Sequence, residues 1–397
     1  MAEGPERIQH ELFLHLALGQ ALTPIKGFSA PEVEGAFARA RELCERLGDP
    51  PELSFVLLGL RGVYFIRGEY RLASELDQKL LLHAQRARDP GLLSVAHWLR
   101  GITCFEIGEM LLAREHLEKS ISLYDRERDR PRAFLLGVDP GSGSLGYLGM
   151  TLWILGYPDQ ALKRGKEGVA LAEGLAHPHC GNEFFLSSIH QFRGEAVEAQ
   201  RAVDNVIAVS AEHGFTLWLA LATFQRQSAM IEQGQGDENI SPLREALAAY
   251  RATEAQVGRP HQLWQLAGAY IKTGRLDDAL DALNEALTVA EQNGDHNWEA
   301  EIHRLRGELL LKKEGSSGPE AQRCFERAIE IAQKQSAKSL ELRATTSLAP
   351  LLTREGLRDE ARTMLAAIYN WFTEGFDTAD LKDAMSLLDD LAPTRMG

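Results

Sequence analysis

Apolar residues recur along this chain every three or four positions. Between Arg275 and Ala290 they fall at Leu276, Ala279, Leu280, Leu283, Ala286, Leu287 and Ala290, which makes one stripe along a helix. Phe325, Ala328, Ile329 and Ala332 repeat the pattern over 322–332. No sustained period-two alternation marks a strand, so the expected class is all-α. A longer period overlies the helical one. The signature Gly-x-x-x-x-Ala recurs at Gly68/Ala73, Gly108/Ala113, Gly156/Ala161, Gly194/Ala199, Gly274/Ala279 and Gly356/Ala361. The glycines are 40, 48, 38, 80 and 82 residues apart, and the last two steps are close to double steps. Degenerate members fill the gaps: Gly234-Gln-Gly236 runs into Ile240-Ser241, and Gly315 to Gly318 runs into Ala321. A fixed period of this length signals a repeat array.

Each glycine falls between two helical stripes, where a tight turn favours a residue without Cβ. The alanine five residues later lies in the first turn of the second helix, where a small side chain lets the pair close. Pro158, Pro242 and Pro319 fall at predicted starts of second helices and Pro260 at the start of a first. Pro350 lies inside a predicted helix over 338–355, so a kink or break is expected there. The expected architecture is one right-handed α-α superhelix over 1–397, a solenoid of about eight or nine helix pairs. Two features depart from the rhythm: an inserted loop over 126–143 and a C-terminal capping helix over 376–392, with Asp383, Asp389 and Asp390 on its outer face.

The net charge of −14 and pI of about 5.4 repel nucleic-acid phosphate and anionic lipid, so neither is an expected partner. Cys44, Cys104, Cys180 and Cys324 show no CxxC spacing, so reduced thiols and a cytoplasmic location are the simplest expectation. The opening residues lack a basic segment followed by an apolar run, so no signal peptide is expected. The longest uncharged stretch, 140–158, carries five glycines and is shorter than the ~20 apolar residues of a membrane span.

Several segments approach catalytic or binding motifs. Gly141-Ser-Gly-Ser-Leu-Gly146 is a literal GxGxxG opening a predicted helix, but no βαβ pattern surrounds it, so a loop entering a packed helix is expected. Gly165-Lys166 is followed by Glu167 and lacks the earlier glycine of a Walker A sequence. No GxSxG appears around Ser142 or Ser144. His10 and His15 are five apart and diverge by about 140° on a helix, unlike the histidines of HExxH. His177, His179 and Cys180 cluster at a turn without a fourth ligand. Arg126, Arg128, Arg130 and Arg132 alternate with Asp125, Glu127 and Asp129, which reads as a self-neutralised surface. No catalytic, cofactor-binding or metal-ligating set is expected, and the chain reads as a non-enzyme.

The chain resembles a known family. Pro31-Glu-Val-Glu-Gly-Ala-Phe-Ala-Arg-Ala-Arg-Glu-Leu-Cys44, Leu155-Gly-Tyr-Pro-Asp-Gln-Ala-Leu162, Ala337-Lys-Ser-Leu-Glu-Leu-Arg-Ala344 and, most distinctively, Ile368-Tyr-Asn-Trp-Phe-Thr-Glu-Gly-Phe-Asp-Thr-Ala-Asp-Leu381 are similar to one repeat region in bacteria. It is the tetratricopeptide (TPR) region at the C-terminal end of bacterial proteins with an adenylate/guanylate cyclase domain and an AAA/STAND-type ATPase. MalT-like regulators share its long-helix style. The resemblance implies TPR-like pairs and an intracellular interaction or sensor array, and supplies no catalytic residues. The cyclase and ATPase domains would lie upstream, so the chain is expected to be a fragment of such a protein or a stand-alone relative. In TPR arrays the first helix of each pair lines the concave face. Counting back from the turn glycines nominates Phe55, Trp98, Phe105, Trp153, Phe184, Phe224, His261, Trp264, Arg304 and Arg343 as a concave groove. Burial of these aromatics between long helices is the competing expectation. The expected function is protein or peptide binding on that face, with attached cyclase/ATPase domains or their partners as candidates. The alternative is a MalT-like sensor of a sugar or metabolite.

Overall fold

Helix pairs joined by tight turns account for nearly all of the chain. The computed structural model describes residues 4–136, 139–314 and 318–392. Among these residues there are twenty α-helices and no strand. Nine pairs follow in order. They are α1 (Pro5–Lys26) with α2 (Pro31–Leu47), α3 (Leu53–Ile66) with α4 (Tyr70–Ala87), and α5 (Pro90–Glu106) with α6 (Met110–Leu123). After a lone helix α7 (Arg126–Leu136) come α8 (Pro140–Leu155) with α9 (Pro158–Leu171), and α10 (Ala176–Arg193) with α11 (Ala196–His213). The last four pairs are α12 (Thr216–Glu232) with α13 (Ile240–Arg251), α14 (Arg259–Lys272) with α15 (Leu276–Asn293), α16 (Glu299–Glu314) with α17 (Pro319–Lys334), and α18 (Lys338–Arg354) with α19 (Arg358–Tyr369). A final helix, α20 (Ala379–Asp390), packs on α18 and α19. The whole is an α-α superhelix. No helix among the described residues is long and apolar enough to cross a membrane.

The glycine–alanine period has a direct structural cause. Gly68, Gly108, Gly156, Gly194, Gly274 and Gly356 all adopt left-handed backbone, with φ between 72° and 94°. An L-side chain there would strain the turn. Gly234, the degenerate member, does the same at φ 85°. Ala73, Ala113, Ala161, Ala279 and Ala361 are fully buried and Ala199 nearly so, each inside its helix pair. Gly315 lies outside the described residues, and Gly318, at φ −151°, is not left-handed.

Two local expectations need correction. The stretch 126–143 is not a loop over most of its length, because it forms α7 and the first turn of α8, with 137–138 outside the described residues. Asp125 accepts the Arg128 backbone N–H at 2.9 Å, and Glu127 and Asp129 complement the helix N-terminus. The repeat itself passes by this helix, since α6 packs directly against α8. Pro350 does not interrupt α18, which is continuous through it. Leu348, Ala349, Leu351 and Leu352 are buried on both sides of the proline, and packing against α16, α17 and α19 holds the helix through the missing hydrogen bond.

The superhelix winds tightly enough for one turn to rest on the next. The α3–α4 turn meets the connection before α14, where the Gln256 N–H donates to the Ile66 carbonyl at 2.7 Å. The α5–α6 turn meets the connection before α16, where the His296 and Asn297 N–H groups donate to the Glu106 carbonyl at 2.9 and 3.2 Å. At the α8–α9 turn, Ser339 Oγ donates to the Trp153 carbonyl at 2.5 Å. The α10–α11 turn meets the connection before α20, where Arg193, also bonded to Asp159 of α9 at 2.8 Å, donates to Asp377 at 3.3 Å. Glu374 in that connection accepts the N–H groups of Asp159 and Gln160, both at 3.0 Å, and caps α9. The partners in the side-chain hydrogen bonds across this seam are 184–225 residues apart.

Two carboxyl groups are buried in the seam. Glu106 accepts from Asn297 Nδ2 at 3.0 Å, and the Tyr70 hydroxyl donates to Asp295 at 3.4 Å. Burial pushes both above the usual carboxylate range, Asp295 to about 7, and the negative charge of Asp295 raises Glu106 further against the opposing pull of Arg61. A carboxyl raised in the folded state favours folding fully below its unfolded pKa of about 4, and that contribution is lost as pH rises through the folded value.

Two predictions follow from the seam. A Cβ on Gly156 would lie 2.6 Å from Trp371 Cζ3 and 2.9 Å from Lys338 Cβ, whereas one on Gly274 meets nothing within 4 Å. Gly274→Ala should therefore cost about 1 kcal/mol for left-handed backbone alone, and Gly156→Ala distinctly more, in urea denaturation. Equal losses would mean that the turns do not touch. For the buried acids, the urea midpoint of the wild type should fall between pH 5.5 and pH 8. In Asp295→Asn this fall should be visibly smaller.

Candidate functional site

A cavity of about 440 Å³ opens on the inner face of the C-terminal half of the superhelix. Each first helix from α10 to α18 contributes to its wall, and α20 closes one end. Helical spacing sets what each helix presents. Residues at i, i+3, i+4 and i+7 share a face, so α14 presents Trp264, Gln265 and Gly268, and α16 presents Arg304, Leu305 and Glu308. Arg343 and Ser347 come from α18, Phe192 from α10, Glu232 from α12, and Asp380 and Asp383 from α20. Pro260 near the α14 N-terminus, after left-handed Gly258, fixes where that helix starts and so which face turns inward.

Beneath the cavity is an aromatic floor. The Trp264 and Trp298 rings are nearly parallel, 5.4 Å apart at 8°, and His261 stacks on Trp298 at 4.7 Å. Phe192 lies 5.3 Å from Trp298 and 4.3 Å from Trp153. Trp153 comes from α8, in the preceding superhelical turn, so the floor bridges the seam. Burial pushes His261 down to about 3, which keeps the ring neutral in the stack.

An ion network sits on this floor. Glu301, with its side chain only 1% exposed, accepts from Arg304 at 2.9 and 3.1 Å and lies 3.5 Å from Arg343. Burial opposes ionisation of Glu301, but the two guanidiniums overcome it and hold its carboxyl below the usual range. Arg304 also bonds Glu308 at 2.5 Å, and Ser347 donates to that carboxylate at 3.0 Å. Arg343 donates to Asp380 at 2.9 Å and lies 4.7 Å over the Trp153 ring. The network fixes both arginines against the wall before any ligand arrives.

The nominated groove residues divide into two sets. Trp264, Arg304 and Arg343 line the cavity, and Trp153 and His261 form its floor. Phe55 is exposed on α3, 43% accessible, while Trp98 and Phe105 are buried in α5 and Phe224 in α12. Phe184 packs against Phe185 and Trp218. Sequence reasoning missed Phe192, Trp298, Glu301, Glu308 and Asp380. Trp298 precedes α16, in a connection that only the seam makes central. The signal for Glu301 and Glu308 was their spacing of i−3 and i+4 from Arg304.

The motif-like segments have structural roles. Gly141–Gly146 forms the first turns of α8, where the Asp139 carboxylate already accepts the Ser142 N–H at 2.8 Å. A Cβ on Gly143 would lie 2.7 Å from Trp98 Nε1, so this glycine permits close packing. His177 accepts from Trp218 Nε1 at 3.1 Å, His179 faces Glu183, and Cys180 is buried beside Ser210. No group of three or more His, Cys, Asp or Glu residues placed to hold a metal occurs among the described residues. Arg128 pairs with Asp129 at 2.6 Å and Arg130 donates to the Glu173 carbonyl.

Comparison with known proteins agrees with this architecture. Residues 261–334 match the tetratricopeptide repeat family. An uncharacterized protein of Rhizobium meliloti (strain 1021) is 24% identical over 366 residues, covering 88% of this chain and 34% of the relative. The chain thus spans about a third of that relative's length. A Rap protein in complex with competence and sporulation factor superposes with a TM-score of 0.60 at 13% identity, covering 98% of this chain and 100% of that one. NprR bound to its cognate peptide NprX gives a TM-score of 0.52 at 12% identity, covering 97% and 99%. The apo form of the quorum sensor NprR from B. thuringiensis gives 0.50 at 13% identity, covering 92% and 98%. At these identities the shared property is the fold, and the chain is a tetratricopeptide-like helical repeat array.

Proposed function

We propose that this chain is a non-catalytic interaction module that binds a protein or peptide segment in the cleft of its C-terminal half. The observation that carries the reading is the convergence there of one face from each of α10, α12, α14, α16, α18 and α20. A surface assembled from six helices on a packed floor is pre-organised, so little ordering opposes binding. The exposed lip residues Glu232 and Asp383 leave the cleft open to a chain that continues beyond it. Of the superposable structures, NprR holds its cognate peptide NprX and the Rap protein holds competence and sporulation factor, which supports the same use here. The proposal extends to context: the array serves as the interaction region of a larger bacterial cyclase–ATPase signalling protein. The greater length of the Rhizobium relative accords with that context.

Gly268 provides the test. It lines the cleft, and a Cβ there would meet nothing closer than 3.7 Å, so a side chain can start there without forcing the backbone and a phenylalanine would project into the cleft. Wild-type protein should retain members of a peptide pool, and Gly268→Phe should weaken that retention by about tenfold or more, some 1.4 kcal/mol, with its thermal midpoint unchanged. Stabilisation by sugars or metabolites with no peptide retained would replace this proposal with the small-ligand sensor.

A further inference from the structure

The cleft is acidic, and its arginines do not offset the charge. Glu232, Glu308, Asp380 and Asp383 line it against Arg304 and Arg343, with Glu301 directly beneath. Both guanidiniums are already committed, Arg304 to Glu301 and Glu308, and Arg343 to Asp380 and Glu301. An incoming anion would therefore find no free cation on the wall. A cation would find two exposed carboxylates at the lip. Asp383 makes no ion pair among the described residues, and Glu232 has only the half-exposed Lys272 at 3.6 Å.

The rest of the wall adds one further requirement. Phe192, Leu305 and Trp264 offer apolar surface. The overall charge of −14 adds a long-range field that draws cationic partners.

We infer that the partner is a peptide segment in which a lysine or arginine adjoins an apolar residue. The cationic head lies at Asp383 and Glu232, and the apolar side chain lies against Phe192, Leu305 and Trp264. This rests on the peptide-binding reading and specifies its chemistry.

An array of random heptapeptides, acetylated and amidated so that only side chains carry charge, tests it on the full chain. Retained peptides should be enriched severalfold in lysine and arginine. The charge reversal Glu232→Lys with Asp383→Lys should cut their binding by about tenfold, and added salt should weaken wild-type binding. Both positions are exposed, so the thermal midpoint of the double variant, set beside that of wild type, separates lost charge from lost fold. Retained peptides without basic enrichment, or binding indifferent to the reversal, overturn this inference and leave peptide binding standing. Basic peptides that bind Gly268→Phe as well as wild type lie elsewhere on the acidic surface and also overturn it. No retained peptide at all overturns both readings.

Discussion

The contact between successive superhelical turns is the constraint on which the rest of this molecule depends. In an open solenoid each pair touches only its neighbours. Here the turn inside a pair also meets a connection some 184–215 residues away, and backbone amides, Arg193 and Glu374 satisfy groups that would otherwise face solvent. The glycines at these turns therefore meet two demands. Left-handed backbone is needed at all of them, but only Gly68, Gly108, Gly156 and Gly194 must also lack Cβ so that the next turn can approach. The floor of the cleft inherits this geometry, because Trp153 reaches it from the first turn while Trp264 and Trp298 belong to the second.

Much of the fold could be read along the chain because its causes are local. A glycine with positive φ, an alanine in the first turn of a helix and a three/four apolar stripe each leave a mark within a few residues. That was enough to place Gly156 and Ala161 and to expect about eight or nine pairs, of which nine occur among the described residues. The seam leaves no periodic mark, since Ser339 and Trp153 share nothing in sequence that announces their hydrogen bond. Its one trace was Ile368–Leu381, which was distinctive in the sequence without a visible reason. The structure supplies that reason: Trp371, Phe372, Glu374, Gly375 and Asp377 press on the α8–α9 and α10–α11 turns.

The cleft was half legible for the same reason. Trp264, Arg304 and Arg343 were found by counting from the glycines, which works where the concave face is made by helix position alone. Phe55, Trp98, Phe105 and Phe224 were nominated by the same count and lie elsewhere, because winding, not helix position, decides where the inner face stays open. The charge of the site was hidden as well. Arg304 and Arg343 were nominated without the Glu301, Glu308 and Asp380 carboxylates that hold them.

The extra helix α7 shows how such winding tolerates change. It enters between two pairs yet leaves α6 packed on α8, so the pairs before and after it keep their phase. Adding or removing a whole pair would not be so mild. The contacts across the seam join particular levels, and one pair more or less would carry Gly156 past Trp371 and Glu106 past Asn297 together. The array is thus a spring with bonded coils. It cannot lengthen by small steps, and pulled along its axis it should resist until the seam yields and then extend abruptly.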